Sequence, residues 1–478
     1  MKVVLPFYSY LDSRKSPLFI KIARTLKDKY HMDIIAVTFG VHANKFIQEH
    51  PEVQLSAVYD IYDYISNNIQ KTQKMTYDEL SSIEDNYGMP LLWTYVIAAE
   101  PAFQGLSEKR SIEIVVTQIK FWESLFSAEK PDAFIDEGVG GLIMPVYKVA
   151  SEHGCRILNM MTSRIPNRFI IHNNVFDHWE NTEKIYQSMK KRELTLEEQE
   201  RAKEFIEKFL SGKLKPPYMI YTTRSPTLTL KAPLTFIKYT KEYHEEKKTA
   251  IFSSADSPYN LATGYLTRIY RHKLLTNLIK VWENPVEGER YFLYPLQYQP
   301  ENSTKILAPY YLNQIALIEN ISKSLPIGTK LYVREHPSSI GTRPLSYYKS
   351  VKAIPNVRLI TPFIESYELI KRSLAVVTIT STMGWEAILF KKPLILLGRP
   401  YYHIYDLAYK INDVSELPIV MKQAIDGDRW DEQLIYKLVL AVIDSTYEGE
   451  INFDMPWALL DENVENLCKG IATELGLT

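Results

Sequence analysis

Short apolar, β-branched runs recur along this 478-residue chain in two series, each run separated from the next by a longer stretch with helical spacing. That alternation constrains the fold more than any other feature, because a strand, a crossover helix and a second strand pack as a parallel βαβ unit. In the first series "KVVLPF" (2–7), "DIIAVTF" (33–39), "DAFID" (132–136) and "CRILNM" (155–160) read as strands, with helices over 17–30, 111–129 and 141–154. The second series begins with "YFLYPL" (291–296) and continues through "KLYV" (330–333), "NVRLI" (356–360), "LAVVTIT" (374–380) and "PLILLG" (393–398). Four helices are predicted between these strands, around 304–324, near 345–352, at 365–372 and from about 383. The fold class expected is α/β with two Rossmann-like doubly wound domains, whose ligands bind outside the carboxyl ends of the strands.

The linear division that follows is an N-terminal domain over 1–225 with a poorly patterned insertion at about 55–110, and a helical linker over 226–285. After these come a C-terminal domain over 286–440 and a helical tail over 441–478. Within it, "LTLEEQERAKEFIEKFLSG" (194–212) is a helix with Thr195 and Glu198 at capping-box spacing and Gly212 at its stop. Formal net charge is −1, which leaves no global basic field for nucleic acid. The two cysteines, Cys155 and Cys468, are far apart and speak against a disulfide framework or a cysteine metal site. No apolar run suits a signal peptide or a membrane span, so a cytoplasmic location is expected. The basic, aromatic stretch "LTRIYRHKLL" (266–275) admits contact with lipid headgroups, against the commoner alternative of a solvated helix face. Peripheral placement at the inner face of a membrane is kept for that reason. Neither a Walker P-loop nor G-x-G-x-x-G occurs, which argues against kinases and NAD-dependent dehydrogenases.

Four segments carry candidate chemistry. In "TITSTMGWEAILF" a strand ends at Thr380-Ser381-Thr382 and a helix begins near Met383. Hydroxyls and free N–H groups at a helix start suit a phosphate, with Gly384 in the first turn and Glu386 set to accept from ribose hydroxyls; the plain alternative is a capping box. In "LYVREHPSSI" the proline keeps His336 extended past a strand end, where with Arg334 beside it the imidazole can bond or protonate a leaving phosphate. The alternative is a surface histidine in an Arg334–Glu335 charge cluster. In "PDAFIDEGVGG" Asp136 and Glu137 close a strand, and Gly138, Gly140 and Gly141 let backbone approach a ligand. Two carboxylates there suit proton abstraction from a sugar hydroxyl or attack on an anomeric carbon, unless they cap the following helix. In "YPLQYQPENST" an extended chain puts Gln297, Gln299 and Glu301 on one face, while Ser303 or Thr304 can cap the next helix.

Taken together and in this order, "YFLYPLQYQPENST", "LYVREHP", "VVTITSTMGWEAILFKKPLILLG" and Tyr401-Tyr402 resemble the capsule polysaccharide biosynthesis family, which includes Kdo transferases. Asp136-Glu137-Gly138 and His336-Pro337 are similar to motifs of bacterial sialyltransferases. The resemblance implies a metal-independent GT-B glycosyltransferase without a cofactor, with the two domains facing a central cleft, a nucleotide-sugar donor on the C-terminal domain and a glycan or glycolipid acceptor on the N-terminal one. It implies Asp136, Glu137 and His336 as catalytic residues. Gln297, Glu301, Arg334, Ser381, Thr382, Gly384 and Glu386 fall on the donor side, and Tyr10, Asp12 and Arg14 on the acceptor side. A CMP-linked ulosonic acid such as CMP-Kdo is the preferred donor, with a UDP-sugar next. A non-hydrolysing UDP-sugar epimerase and a non-catalytic nucleotide-binding scaffold are the alternatives.

Overall fold

The computed structural model describes residues 1–8, 15–86, 92–100, 103, 105–138, 144–174, 176, 178–212, 214, 225–248, 257–299, 302–427 and 429–477. It forms two compact units, Met1–Phe176 with Leu228–Ala262 and Thr446–Thr478, and Asp177–Thr227 with Thr263–Ser445.

In the first unit the strands are β1 (Lys2–Tyr8), β2 (Asp33–Phe39), β3 (Ala57–Asp60), β4 (Ala133–Glu137), β5 (Arg156–Thr162) and β6 (Arg168–His172). Helices cover both faces of a parallel sheet, so β1 and β2 are continuous buried apolar runs rather than alternating ones. The order β3-β2-β1-β4-β5 is parallel throughout, and β6 adds antiparallel to β5. Chain order reverses between β1 and β4, so the switch point lies beyond Tyr8 and Glu137. Helix Lys15–Tyr30 turns Leu18, Phe19, Ile22 and Leu26 into the core at helical spacing. One expectation is corrected: residues 57–72 are framework rather than insertion. They form the edge strand β3 and a helix capped by Asp60, whose carboxylate accepts from the Tyr62 and Asp63 N–H groups.

The second unit contains β7 (Tyr291–Pro295), β8 (Lys330–Arg334), β9 (Val357–Ile360), β10 (Ala375–Thr378), β11 (Leu394–Leu396) and β12 (Tyr409–Lys410). All pair parallel in the order β9-β8-β7-β10-β11-β12, with the switch between β7 and β10. The single helix expected around 304–324 is two, Asn302–Leu307 and Gln314–Lys323, separated by a turn at Pro309–Tyr311. Pro309 has no N–H to extend the first helix, and the Asn313 side chain accepts from the Ala316 N–H to start the second.

Residues 178–210 belong to this unit, not to an N-terminal domain reaching 225. Trp179 stacks on Tyr401 with ring centroids 4.1 Å apart, and the Thr182 and Ser445 hydroxyls hydrogen-bond at 2.6 Å. The helix Leu196–Leu210 carries the expected capping box and is followed by Gly212 at φ 77°. The 441–478 tail also divides. Helix Glu432–Asp444 stays with the second unit, whereas β13 (Tyr447–Glu448) pairs with β6, and Leu467, Cys468 and Ile471 of helix Asp461–Glu474 enter the first core.

Candidate functional site

Each switch point gathers polar side chains. At the first, Asp136, the penultimate residue of β4, has no exposed surface and accepts three hydrogen bonds. Its Oδ1 accepts from Lys15 Nζ at 2.8 Å and from the Glu137 N–H at 2.7 Å, and its Oδ2 accepts from the Tyr8 hydroxyl at 3.0 Å. Lys15, buried at the start of its helix, also donates to the Glu137 carbonyl and lies 3.5 Å from Glu137 Oε2 and 4.3 Å from the centre of the Tyr8 ring. The ammonium therefore compensates two carboxylates and rests on an aromatic face.

Glu137 differs from its neighbour. Its side chain keeps 23% of its surface exposed, and burial, with Asp136 adding to it and Lys15 opposing, raises its carboxyl above the usual range. The Gly138 N–H donates to Asn159 Oδ1 at 3.2 Å while Gly138 sits at φ 115°, a backbone region open to glycine. Two donors nearby have no partner among the described residues, the Asn159 Nδ2 group and the Tyr147 hydroxyl, both buried. Burial, then Asp136 and Glu137, push the Tyr147 phenol well above its ordinary value, so it stays protonated.

The second switch point is built around Gln297 and Glu335. Gln297, buried beyond β7, donates weakly to Thr378 Oγ1 at 3.4 Å and accepts from the Thr380 hydroxyl at 3.2 Å, tying β7 to the end of β10. Its main chain is held by Gln314, which accepts from the Gln297 N–H at 2.7 Å and also bonds Gln299. Gln297 is thus a structural tie beneath the site.

Glu335 has no exposed surface, and Arg343 Nη1 lies 2.5 Å from both of its oxygens. The Tyr348 hydroxyl and the His336 N–H complete its shell at 2.8 and 2.7 Å. Arg334 and Glu335, the charge cluster of the alternative reading, do not pair directly: Arg334 donates to the Pro362 and Ile364 carbonyls at 3.0 Å, and its Nε has no partner among the described residues. Burial pulls the Arg334 guanidinium down, opposed by Glu386, Glu365 and Glu335.

His336 stays extended at φ −71°, as its proline requires, and Nδ1 accepts from the Ser338 N–H at 3.2 Å. The proton of the neutral ring therefore sits on Nε2. Enclosure by protein, then the Arg334 and Arg343 charges, lowers the imidazole to about 4, although the ring itself still reaches solvent. At neutral pH the histidine is an uncharged donor, not the near-cationic acid expected from the sequence.

Ser381 caps helix Thr382–Leu389, its Oγ accepting from the Met383 N–H at 3.2 Å. Glu386 lies past the third helical position, so no capping box forms; it is buried on the helix face within electrostatic reach of Arg334. A Cβ at Gly384 would run into the Tyr402 hydroxyl, which donates to the Ser381 carbonyl, so the helix start is packed against Tyr402. Thr382 is half-buried at the first turn. Tyr10, Asp12, Arg14, Glu301, Gly140 and Gly141 lie outside the described residues. Sequence reasoning missed Lys15, Asn159 and Tyr147, and in the second unit Arg343 and Tyr348. Among the described residues no group of three or more His, Cys, Asp or Glu can hold a metal ion.

The folds define a two-unit Rossmann-like α/β protein with a cluster of polar side chains at each topological switch point. Residues 206–416 match the family described as capsule polysaccharide biosynthesis protein. A 106-residue stretch is 40% identical to Protein FixF of Sinorhizobium fredii, covering 21% of this chain and 24% of that one. The chain thus spans about a quarter of the curated relative it matches. Among solved structures it is similar to the Thermosulfurimonas dismutans KpsC beta Kdo 2,7 transferase at 14% identity over 74% of this chain and 89% of that one, TM-score 0.39. The beta Kdo 2,4 transferase of the same protein gives 12% identity, 67% and 82% coverage and TM-score 0.39. UDP-GlcNAc 2-epimerase from Methanocaldococcus jannaschii gives 14% identity, 91% and 96% coverage and TM-score 0.25. TM-scores this low carry no argument about this chain's activity.

Proposed function

We propose that the protein is a glycosyltransferase of the GT-B kind in surface-polysaccharide synthesis, using a nucleotide-sugar donor without a metal. The observation that carries this reading is the coincidence of the family match over 206–416 with an anion-type site at the second unit's switch point. There the Thr382 N–H and hydroxyl at the start of helix Thr382–Leu389 and the His336 Nε2–H are donors suited to a phosphate. His336 acts as a neutral hydrogen-bond donor whose bond strengthens as charge develops on the departing phosphate. Arg334 supplies positive charge, and Glu386 accepts from the nucleoside.

The acceptor side belongs to the first unit. Glu137 is the carboxylate that meets the substrate, because it is partly exposed and its proton affinity is raised; Asp136 is a positioning residue that fixes Lys15 and Tyr8. The unmet donors of Tyr147 and Asn159 suit acceptor or sugar oxygens. A CMP-linked ulosonic acid such as CMP-Kdo is the preferred donor, with a UDP-sugar next, and the acceptor is a surface glycan or glycolipid, for which peripheral placement at a membrane is fitting.

The test incubates the protein with CMP-Kdo, CMP-sialic acid and UDP-sugars, with and without glycan acceptors and with EDTA, and follows released nucleotide and product. Acceptor-dependent release that survives EDTA is expected. Conversion of a UDP-sugar to its epimer, or nucleotide binding with no turnover, would overturn the reading.

A further inference from the structure

Within the second unit, the chain that leaves β11 runs on beside the start of helix Thr382–Leu389. β11 pairs with β10 in the register that sets Leu396 opposite Thr378, and the Leu397 N–H donates to the Thr378 carbonyl at 3.0 Å. A Cβ on Gly398 would stand 2.8 Å from the Ile379 carbonyl, so the two chains approach there as only glycine allows. Carrying the register on sets Arg399 level with Ser381, the cap of the helix. The short turn Tyr401–Ile404 that follows is fastened to the same helix: Tyr402 donates to the Ser381 carbonyl, and the rings of Tyr401 and Trp385 lie 5.7 Å apart. His403 follows Tyr402 on that turn, and Lys410 ends β12, the neighbour of β11.

The side chains of Arg399, His403 and Lys410 have no hydrogen-bond or ion-pair partner among the described residues, and Arg399 and Lys410 are exposed. They nevertheless feel one another. Burial, then the Lys410 and Arg399 charges, lowers the His403 imidazole to about 4, so the ring is neutral and keeps one N–H to give. Burial also lowers the Lys410 ammonium; Asp406 and Glu183 oppose that fall, and Lys190 and Arg429 add to it. Arg429 lies over the Tyr409 ring, 4.6 Å from its centre.

The two carboxylates that act on these groups are already engaged. Asp406 Oδ2 accepts from the Tyr186 hydroxyl at 3.1 Å and lies 2.6 Å from Lys190 Nζ, and Glu183 Oε2 lies 2.6 Å from His178 Nε2. The carboxyl ends of β11 and β12 are therefore left with positive charge that has no counter-charge of its own, in a chain whose formal net charge is −1. In an open α/β sheet this is the end that receives a ligand, and fixed cations beside a neutral N–H donor there suit a small anion.

We propose that Arg399, His403 and Lys410 form a second anion subsite beside the helix-start phosphate site, holding the negative charge that a donor carries beyond its first phosphate. Its occupant is a carboxylate on the transferred sugar, as in a CMP-linked ulosonic acid, or the second phosphate of a nucleoside diphosphate. The subsite rests on the transferase reading for its ligand but is measured by binding, without turnover. Calorimetry on the full chain compares CMP with CMP-sialic acid, and UMP with UDP. In at least one pair the ligand with the additional anionic group should bind about tenfold or more tightly than the monophosphate, and the pair that shows the gain identifies the occupant. Arg399→Met with Lys410→Met should abolish that preference while the monophosphate binds as it does to the parent. Because both side chains are exposed and unpaired, melting temperature should not change. Lys323→Met with Lys349→Met, which removes equal charge from exposed helix positions of the same unit, should keep the preference. Equal affinity within both pairs, a preference that survives in the Arg399/Lys410 variant, or an equal loss in the Lys323/Lys349 variant would overturn the subsite. A preference that is present and lost as described, in a protein that transfers no sugar, would support the subsite and overturn the transferase reading alone. No nucleotide bound at all would overturn both.

Discussion

Replacing Arg343 with methionine isolates the element that holds the His-Pro turn in place. The substitution keeps an apolar stem of similar length but leaves the Glu335 carboxylate, which has no exposed surface, without its cation. Removing one partner of a buried pair costs about 3–5 kcal/mol. Glu335 keeps the Tyr348 O–H and the His336 N–H, two donors to a charged acceptor, which places the expected loss near the low end, about 3 kcal/mol. For a unit of this size about 2–4 °C is lost per kcal/mol, so calorimetry should show the second unit's transition lowered by about 6–12 °C. The double variant Glu335→Leu/Arg343→Met removes both charges and should recover most of that loss, because it is the lone charge, not the missing pair, that destabilises. Nucleotide affinity should fall in Arg343→Met as well, since the His336 N–H is anchored on Glu335. A transition within about 2 °C of the parent, or a double variant at least as unstable as the two single losses added together, would refute the reasoning.

In the first unit, Lys15→Met leaves Asp136 and Glu137 uncompensated and should cost about 3 kcal/mol at pH 7. With the Glu137 carboxyl raised above its ordinary range, that loss should shrink as pH is lowered; a pH-independent deficit in urea titrations would count against it. For His336, whose folded value of about 4 lies below the unfolded one, the contribution to stability is fully present above about 6.5 and is lost as pH falls through 4. Imidazole NMR shifts should accordingly show no titration between pH 6 and 8 in the free protein. His336→Ala should lower kcat by about 10²-fold with a smaller change in donor KM, and an unchanged kcat would return the residue to a plain strand terminus. Ser381→Ala should cost about 1 kcal/mol of stability through the lost cap. Thr382→Ala should instead weaken nucleotide binding by about 1 kcal/mol with the melting temperature unchanged, which calorimetry on both variants separates.

Both parallel sheets were legible because a strand covered on two faces must be a continuous apolar run, and "KVVLPFY", "DIIAVTF" and "YFLYP" are such runs. β3 was not, because as an edge strand of four residues it is only partly buried and carries no apolar period. β13 spans two residues and acquires its strand character only from β6, which no local pattern announces. The candidate sites show the same divide. Strand ends, glycines and the helix start marked Asp136, Glu137, His336 and Ser381, but charge partners are tertiary facts. Lys15 lies 121 residues from Asp136, and in sequence it reads as the polar start of an amphipathic helix. Arg343 sits in an ordinary turn, whereas Arg334, adjacent to Glu335, is bonded elsewhere.

The return of residues 446–478 to the first unit has a consequence for biosynthesis. Phe169 on β6 packs against Tyr447, and Leu467, Cys468 and Ile471 complete the core that Ile22 and Leu26 begin. On a ribosome adding about 5–20 residues per second, the first unit waits roughly 15–50 s between translation of Phe176 and of Thr446. Through that interval the face of helix Lys15–Tyr30 that will receive helix Asp461–Glu474 is bare and β6 is an open edge, the state in which a nascent chain most needs a chaperone. The second unit, whose strands β7–β12 are contiguous in the chain, can close first. Growth temperature and expression rate should therefore govern yield of the intact protein through the unit that is translated earliest yet finished last.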